Sequence, residues 1–255
     1  MGRKGETNMG LIPKSERRTV DTIDKKVFHV YGAPYCGKTY LANTFPNPLM
    51  LNTDGNFKFV DAPYVEIKDI NEGRVVKTGW ENFKAIVDEL AVGAGSNGFD
   101  TIIIDLLEDV KEYCRQYILK REGYTHESDG AYGKGWSLVS NEFYPVITKL
   151  KSLDYKYIIF LSHEDDETIT LRTGEQITKF VPKNLKRERD KIAGMMDFTG
   201  RLVAEGDERT ISIKNSEYQF GGGRTEFRNK VIPASFDAIN EMYANVTKQI
   251  KNNGE

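Results

Sequence analysis

Residues 27–39 are Val27-Phe28-His29-Val30-Tyr31-Gly32-Ala33-Pro34-Tyr35-Cys36-Gly37-Lys38-Thr39. They form an apolar β-type run followed by Gly, four residues and Gly-Lys-Thr. A strand that stops at a glycine-rich turn and opens a helix points backbone N–H groups and the helix N-terminus at one place, which suits a polyphosphate. Residues 39–44, closed by Pro46, have the pattern of that helix. The stretch predicts a phosphate-binding loop, and the alternative is an accidental glycine-rich turn.

Each residue of this loop is predicted to contact the nucleotide, and the set is Gly32, Ala33, Pro34, Tyr35, Cys36, Gly37, Lys38 and Thr39. Lys38 is expected to reach the β- and γ-phosphates. Thr39 is expected to give its hydroxyl to Mg²⁺, because a hard cation that keeps most of its waters needs few protein oxygens. The expected cofactors are ATP and Mg²⁺, with another triphosphate left open.

Composition places the chain among ordinary globular proteins. Its 255 residues are 39% hydrophobic and 29% charged, with a formal net charge of −2. That charge gives no global attraction to nucleic acid or to acidic membranes, so such a partner needs a local patch. The two cysteines, Cys36 and Cys114, suggest no bridge and indicate a reducing compartment.

The expected location is the cytoplasm. No apolar run approaches the roughly twenty residues of a membrane helix. The first residues, Met1-Gly2-Arg3-Lys4-Gly5-Glu6, lack the apolar region of a signal peptide. We therefore expect a protein that is neither exported nor spanning a membrane.

Two regions are expected along the chain. Residues 1–26 carry seven Lys/Arg against four Asp/Glu without periodicity, which predicts a flexible basic arm or a simple solvated tail. Residues 27–255 are expected to form one α/β domain with a C-terminal helix. Apolar runs alternate there with helical patterns, which implies parallel strands joined by crossover helices in three layers. The strands are expected at 27–31, 49–52, 101–105 and 157–162, and the helices at 80–92, 106–122 and 136–153.

The pattern changes after His163. Residues 168–171 and 176–181 flank a Thr173-Gly174 turn and predict a hairpin, and residues 201–204 and 209–214 predict two antiparallel strands. Residues 234–250 follow Pro233 and predict an amphipathic helix. The expected fold is therefore a three-layer α/β sandwich with a mostly parallel sheet and C-terminal antiparallel strands.

Asp105 is the candidate magnesium-side carboxylate. It ends the apolar run Thr101-Ile102-Ile103-Ile104, which is the position of a Walker B aspartate. A helix N-cap role is the alternative, and the two roles are compatible. Leu106 follows it rather than Glu, so the base that activates water is expected elsewhere.

Asp54 is the candidate general base. It follows the run Leu49–Asn52, whose strand is expected next to the phosphate-loop strand, so that its carboxyl end faces the ligand crevice. An ordinary Asp-Gly turn with Gly55 is the alternative. Glu108 is the reserve base. His163, which follows the fourth strand, is expected near the γ-phosphate if that strand lies between the first and third, and a purely structural role is the alternative.

Charged and aromatic clusters surround the hairpin. Glu164-Asp165-Asp166-Glu167 is acidic, and the basic cluster that follows consists of Lys179, Lys183, Lys186, Arg187, Arg189 and Lys191. The cations suit a phosphate backbone or a neighbouring subunit's nucleotide, and a solvated helix face is the alternative. The loop at 123–136 joins glycines with aromatics, which suits base stacking, although Trp136 also suits packing of the next helix.

Together these segments resemble the RecA-like ATPases of bacteriophages, in particular small nucleotide-binding proteins of single-strand annealing and recombination. The resemblance covers about residues 27–240. It depends on the segments 32–39, 51–55, 104–105, 132–136, 161–163 and 221–224. In that family a carboxylate after the second strand activates water, which implies Asp54, although Asp replaces the more usual Glu. A γ-phosphate sensor after the fourth strand implies His163, and a DNA-binding loop follows it.

The resemblance implies an ATPase with catalytic residues Lys38, Asp54, Asp105 and His163 and with Thr39 and Asp105 at the metal. It further implies single-stranded DNA as a partner, a homo-oligomer in which Arg187, Arg189 or Lys191 reaches a neighbour's site, and contacts with phage or host replication and recombination proteins. One alternative is a nucleotide-gated protein-contact switch, such as a helicase loader, with little hydrolysis. The other alternative, a small-molecule or nucleoside kinase, is disfavoured because no Arg-rich lid stands beside an acceptor pocket.

Overall fold

The computed structural model describes residues 15, 22–73, 75–183, 187–224, 227 and 230–252. Most of the predicted basic arm at 1–26, and Lys186 of the basic cluster, lie outside the described residues. The strands are β1 Lys26–Gly32, β2 Pro48–Asn52, β3 Tyr64–Glu66, β4 Ile70–Glu72, β5 Val75–Lys77, β6 Thr101–Asp105, β7 Tyr157–Thr170, β8 Gln176–Pro182, β9 Phe198–Glu205, β10 Glu208–Ser212, β11 Gly222–Gly223 and β12 Val231–Pro233. The helices are α1 Lys38–Asn43, α2 Gly79–Gly93, α3 Leu107–Glu122, α4 Lys134–Ser152, α5 Arg189–Met195 and α6 Phe236–Asn252.

The main sheet has the strand order β12-β10-β9-β1-β7-β6-β2-β3. Neighbours from β9 through β3 pair in parallel, whereas β10, β11 and β12 add antiparallel pairs at one side. The short strands β4 and β5 form a separate hairpin. This topology confirms the predicted mostly parallel sheet with C-terminal antiparallel strands.

Both faces of the central strands are buried, which explains their continuous apolar runs. Alternate residues such as Leu51, Ile104 and Phe160 pack with α2, α3 and α4 on one face. Their neighbours, such as Met50 and Ile103, pack with α1 and α6 on the other. The three-layer arrangement is therefore confirmed. Within the described ranges, no helix combines the length and apolar character that crossing a bilayer requires.

Strand β7 is longer than predicted. It pairs with β1 up to His163 and then, from Glu164 to Thr170, pairs with β8 as an antiparallel hairpin. The acidic residues 164–167 therefore lie in a strand and not in a loop. Because all four residues are charged, they lack the alternation of apolar and polar residues that indicates a half-buried strand. Backbone pairing with β8 keeps them extended.

The position of β2 also differs from the prediction. β7 and β6 separate it from β1, so the strand that precedes Asp54 is not adjacent to the phosphate-loop strand. Strand order depends on long-range pairing, and an apolar run carries no information about its neighbour. In contrast, β7 does lie between β1 and β6, which is the condition under which His163 was expected beside the loop.

Candidate functional site

The carboxyl ends of four parallel strands meet at one edge of the sheet. Gly32 of β1 lies opposite His163 of β7, and Asp105 of β6 lies opposite Leu161 on one side and Asn52 of β2 on the other. A cavity of about 500 Å³ opens above this edge, lined by Pro34, Tyr35, Gly37, Lys38, Thr39, Tyr40, Asp54, Asn56, Phe59, Asp105, Leu106 and His163. Lys38, Thr39, Asp54, Asp105 and His163, all predicted from sequence, therefore line one cavity.

Lys38 stabilises the loop between β1 and α1 through two hydrogen bonds to the loop backbone. Lys38 is 5% exposed, and its Nζ donates to the carbonyl oxygens of Gly32 at 2.9 Å and Ala33 at 2.8 Å. Gly37 has φ 99°, which favours glycine, and a Cβ at Gly32 would stand 2.5 Å from the carbonyl oxygen of Leu202. Gly37 is thus required by its backbone conformation, and Gly32 is required because β9 approaches it closely.

Thr39 and Asp105 meet directly. Thr39 Oγ1 donates to Asp105 Oδ2 at 2.7 Å, and Asp105 is 3% exposed. Burial raises the pKa of Asp105 to about 6; the charges of Asp54 and Glu108 add to the rise, whereas the Thr39 hydrogen bond and Lys38 oppose it. A hydroxyl and a carboxylate oxygen lie side by side where burial disfavours the carboxylate's charge, and this arrangement fits the oxygen preference of Mg²⁺.

Asp54 lies on the rim of the cavity and is held by its neighbours. Its oxygens accept from Asn52 Nδ2 at 3.0 Å, from Asn56 N at 2.9 Å and from Asn56 Nδ2 at 2.8 Å. Burial works to raise the pKa of Asp54, but these hydrogen bonds outweigh it and the pKa is lowered. Asp54 therefore lies in a turn that continues through Gly55, whose φ is 75°. Its carboxylate also lines the cavity, so the structure combines the two positions that were predicted as alternatives.

His163 is fixed by a carboxylate behind it. The backbone N–H of His163 donates to Glu108 Oε1 at 2.8 Å, and His163 Nδ1 lies 3.2 Å from the same oxygen. Glu108 is 3% exposed and is not among the described residues that line the cavity. The reserve base is thus placed behind His163 and not on the cavity wall.

Several supporting residues were not predicted. Thr53 Oγ1 accepts from Leu106 N and contacts Asp109 Oδ2, both at 2.8 Å, which ties the Asp54 turn to the start of α3. Arg209 Nε of β10 donates to the carbonyl of Cys36 at 3.2 Å and supports the loop from outside. Tyr40 and Phe59 add exposed rings to the rim. These contacts join distant segments, and no spacing in the sequence marks them.

The basic cluster is largely occupied by packing contacts. Arg189 Nη2 lies 2.9 Å from Glu167 Oε2, and Lys191 Nζ stands 3.4 Å from the centroid of the Tyr144 ring. The Arg187 guanidinium lies 4.4 Å from the centroid of the Trp136 ring, which belongs to the first turn of α4. Lys183 and Arg187 remain exposed. Neither the described cations of the cluster nor the 123–136 loop line the cavity.

The family of this chain follows from a match to a family model. The comparison with curated proteins finds no match. Among solved structures, the chain is similar to an ATPase from the type III secretion system of pathogenic bacteria, with 10% identity and a TM-score of 0.40 over 79% of this chain and 66% of that chain. A family model described as an AAA domain matches residues 24–225. Since this match spans most of the chain and includes the whole phosphate loop, the chain belongs to the AAA-domain family of P-loop ATPases.

Proposed function

We propose that this protein binds ATP with Mg²⁺ and hydrolyses it in the cavity above the carboxyl edge of the sheet. The observation that carries the proposal is the 2.7 Å contact between Thr39 Oγ1 and Asp105 Oδ2 beside the buried Lys38. Phosphoryl transfer needs little covalent chemistry from the protein and depends on positioning and on charge stabilisation. These three side chains supply both at the end of a loop that presents backbone N–H groups.

Each residue has a defined part in this proposal. Lys38 leaves the loop carbonyls of Gly32 and Ala33 and places its ammonium on the β- and γ-phosphates. Thr39 and Asp105 hold Mg²⁺, which when bound neutralises developing charge on the phosphate oxygens. Asp54 orients and polarises the attacking water from the opposite rim.

The direct test is steady-state ATP turnover with Mg²⁺ and with EDTA, with Lys38→Ala as the blank. The proposal expects turnover that needs Mg²⁺ and is lost in the variant. If turnover persists unchanged in Lys38→Ala, the activity belongs to a contaminant and the proposal is contradicted. Binding of a fluorescent ATP analogue, measured in parallel, separates a failure to bind from a failure to hydrolyse.

A nucleotide-gated protein-contact switch is the second candidate, because the site holds a weak base. Leu106 stands where many ATPases place a glutamate, and three hydrogen bonds lower the pKa of Asp54. A carboxylate with a lowered pKa accepts a proton less readily. Tight Mg²⁺-dependent ATP binding with negligible turnover, alone and with DNA, would favour this candidate.

We further propose that the partner is single-stranded DNA, in recombination, annealing or replication of a phage, with the protein acting as a homo-oligomer. Support comes from the sequence resemblance to RecA-like phage ATPases and from the β7–β8 hairpin, which begins directly after His163. Lys183, which directly follows β8, and Arg187 are exposed, and both suit a phosphate backbone. Salt-sensitive stimulation of ATP turnover by a long single strand would support the proposal, and its absence would favour the switch.

A further inference from the structure

Glu108 is a buried carboxylate that the proposed chemistry does not use. It lies in the first turn of α3, three residues after Asp105, and it is 3% exposed. Its Oε2 is buried and has no hydrogen-bond partner among the described residues. Burying a carboxylate with one unpaired oxygen costs free energy, so stability does not explain its presence.

The other oxygen of Glu108 is directed at a single residue. Oε1 accepts the backbone N–H of His163 at 2.8 Å and lies 3.2 Å from Nδ1 of the same imidazole. The Glu108 carboxyl therefore contacts both the backbone and the ring of His163, the residue at which β7 leaves the parallel sheet. His163 in turn lines the nucleotide cavity.

The chemistry of the two groups defines what this contact does. An ionised carboxylate only accepts hydrogen bonds, so an imidazole nitrogen that faces it carries a proton. With Nδ1 facing the carboxylate at 3.2 Å, Nε2 is the ring atom left for a ligand. A hydrogen bond at one ring nitrogen determines whether the other nitrogen carries a proton and where it points. Carboxylates that contact metal-bound histidines have the same effect.

We propose that Glu108 is a positioning residue that keeps a proton on Nδ1 of His163 and holds Nε2 toward the terminal phosphate. The proposal rests on the nucleotide site proposed above. Catalytic contacts are often poorly aligned without substrate and tighten in the complex, and Nδ1 already lies 3.2 Å from Glu108 Oε1. Glu108 itself touches neither nucleotide nor water in this assignment.

The first test observes the proton and needs no turnover. The chain has three histidines, so ¹⁵N-histidine NMR gives a pair of Nδ1 and Nε2 signals from each of three imidazoles, which His29→Gln and His126→Gln assign. In its neutral form we expect the His163 imidazole to carry its proton on Nδ1. Glu108→Ala is expected to let the proton exchange between Nδ1 and Nε2, whereas Glu108→Gln, which keeps an acceptor oxygen, is expected to preserve the wild-type signal.

Glu112→Ala is the matched control, since Glu112 lies one turn further along α3 and pairs with Arg115 at the surface. It is expected to leave the His163 signal unchanged. An unprotonated Nδ1 in the wild-type protein, or an identical His163 spectrum in Glu108→Ala, would overturn the proposal whether or not the protein hydrolyses ATP.

The second test uses kinetics. If Glu108 acts only through His163, Glu108→Ala should lower kcat about 10²-fold with little change in KM, as expected for a misplaced group. Glu108→Gln should recover most of that loss, and Glu108→Ala should cost nothing further in a His163→Ala background. Additive losses in the double variant would contradict the assignment. Absence of turnover in the wild-type protein would refute the hydrolytic function but leave the tautomer result valid.

Discussion

Thr39 Oγ1 donates a 2.7 Å hydrogen bond to Asp105 Oδ2, which joins the end of the phosphate loop to the end of a strand two positions away in the sheet. The carboxyl of Asp105 is buried at this contact, and its raised pKa shows that the folded protein disfavours its charge. Ionising this carboxyl in the folded protein therefore carries an electrostatic cost.

Asp105→Asn is expected to stabilise the protein at about pH 7.5 and to abolish hydrolysis. The folded pKa is about 6 and the ordinary value is 3.8, so the wild-type protein loses stability as pH rises through that interval. The neutral amide avoids a loss of about 3 kcal/mol, taking about 1.4 kcal/mol per pKa unit. Urea unfolding should show the difference at pH 7.5 and little of it near pH 4. An equal difference at both values would contradict this explanation.

Lys38→Ala is expected to abolish nucleotide binding. The substitution removes the ammonium that would meet the β- and γ-phosphates and also the two hydrogen bonds that hold the carbonyls of Gly32 and Ala33. Titration with a fluorescent ATP analogue measures the effect. Lys58→Ala, which removes an exposed lysine outside the cavity lining, is the control and should bind as the wild type does. Equal weakening in both variants would point to net charge instead of the loop.

Asp54→Asn is expected to preserve ATP binding and to lower turnover by about 10² or more, the usual contribution of a general base. The amide keeps the shape of the side chain but accepts a proton poorly. Matched measurements of binding and kcat are needed, with Asp61→Asn, an exposed carboxylate outside the cavity lining, as the control. Undiminished kcat in Asp54→Asn would remove Asp54 from the role of base.

Replacing both Lys183 and Arg187 by Ala is expected to weaken binding of single-stranded DNA. Loss of two phosphate contacts should reduce the slope of log K against log salt by about 1.4. Fluorescence anisotropy at several salt concentrations gives that slope. The control replaces Lys156 and Lys248, which are exposed near the amino edge of the sheet. Equal loss in the two double variants would mean that binding is non-specific.

Much of the fold was predictable because the central strands are short apolar runs bounded by turn residues. Thr101–Asp105 was predicted with its correct bounds, and Asp54 and His163 were assigned to strand ends that meet beside the phosphate loop. Residues at the carboxyl ends of parallel strands necessarily share an edge, so local patterns sufficed to bring them together. Their catalytic roles remain predictions.

What the sequence did not reveal depends on contacts between distant segments. The place of β2 in the sheet, the support of the loop by Arg209 and the contact of Glu108 with His163 all require the folded chain. The three-residue strands β3, β4 and β5 are too short for a period of two to be recognised. Short pairings and single long-range hydrogen bonds have no local signature.

The unbroken passage of β7 from the sheet into the hairpin limits how this protein can vary in length. Side chains alternate along a strand, so deletion of one residue between Glu164 and Thr170 would exchange the two faces and disrupt the register with β8. Removal of two residues from each strand leaves every remaining side chain on its original face of the hairpin. Homologous hairpins should therefore differ in even steps, and the exposed Thr173-Gly174 turn is the natural place to insert a reporter peptide.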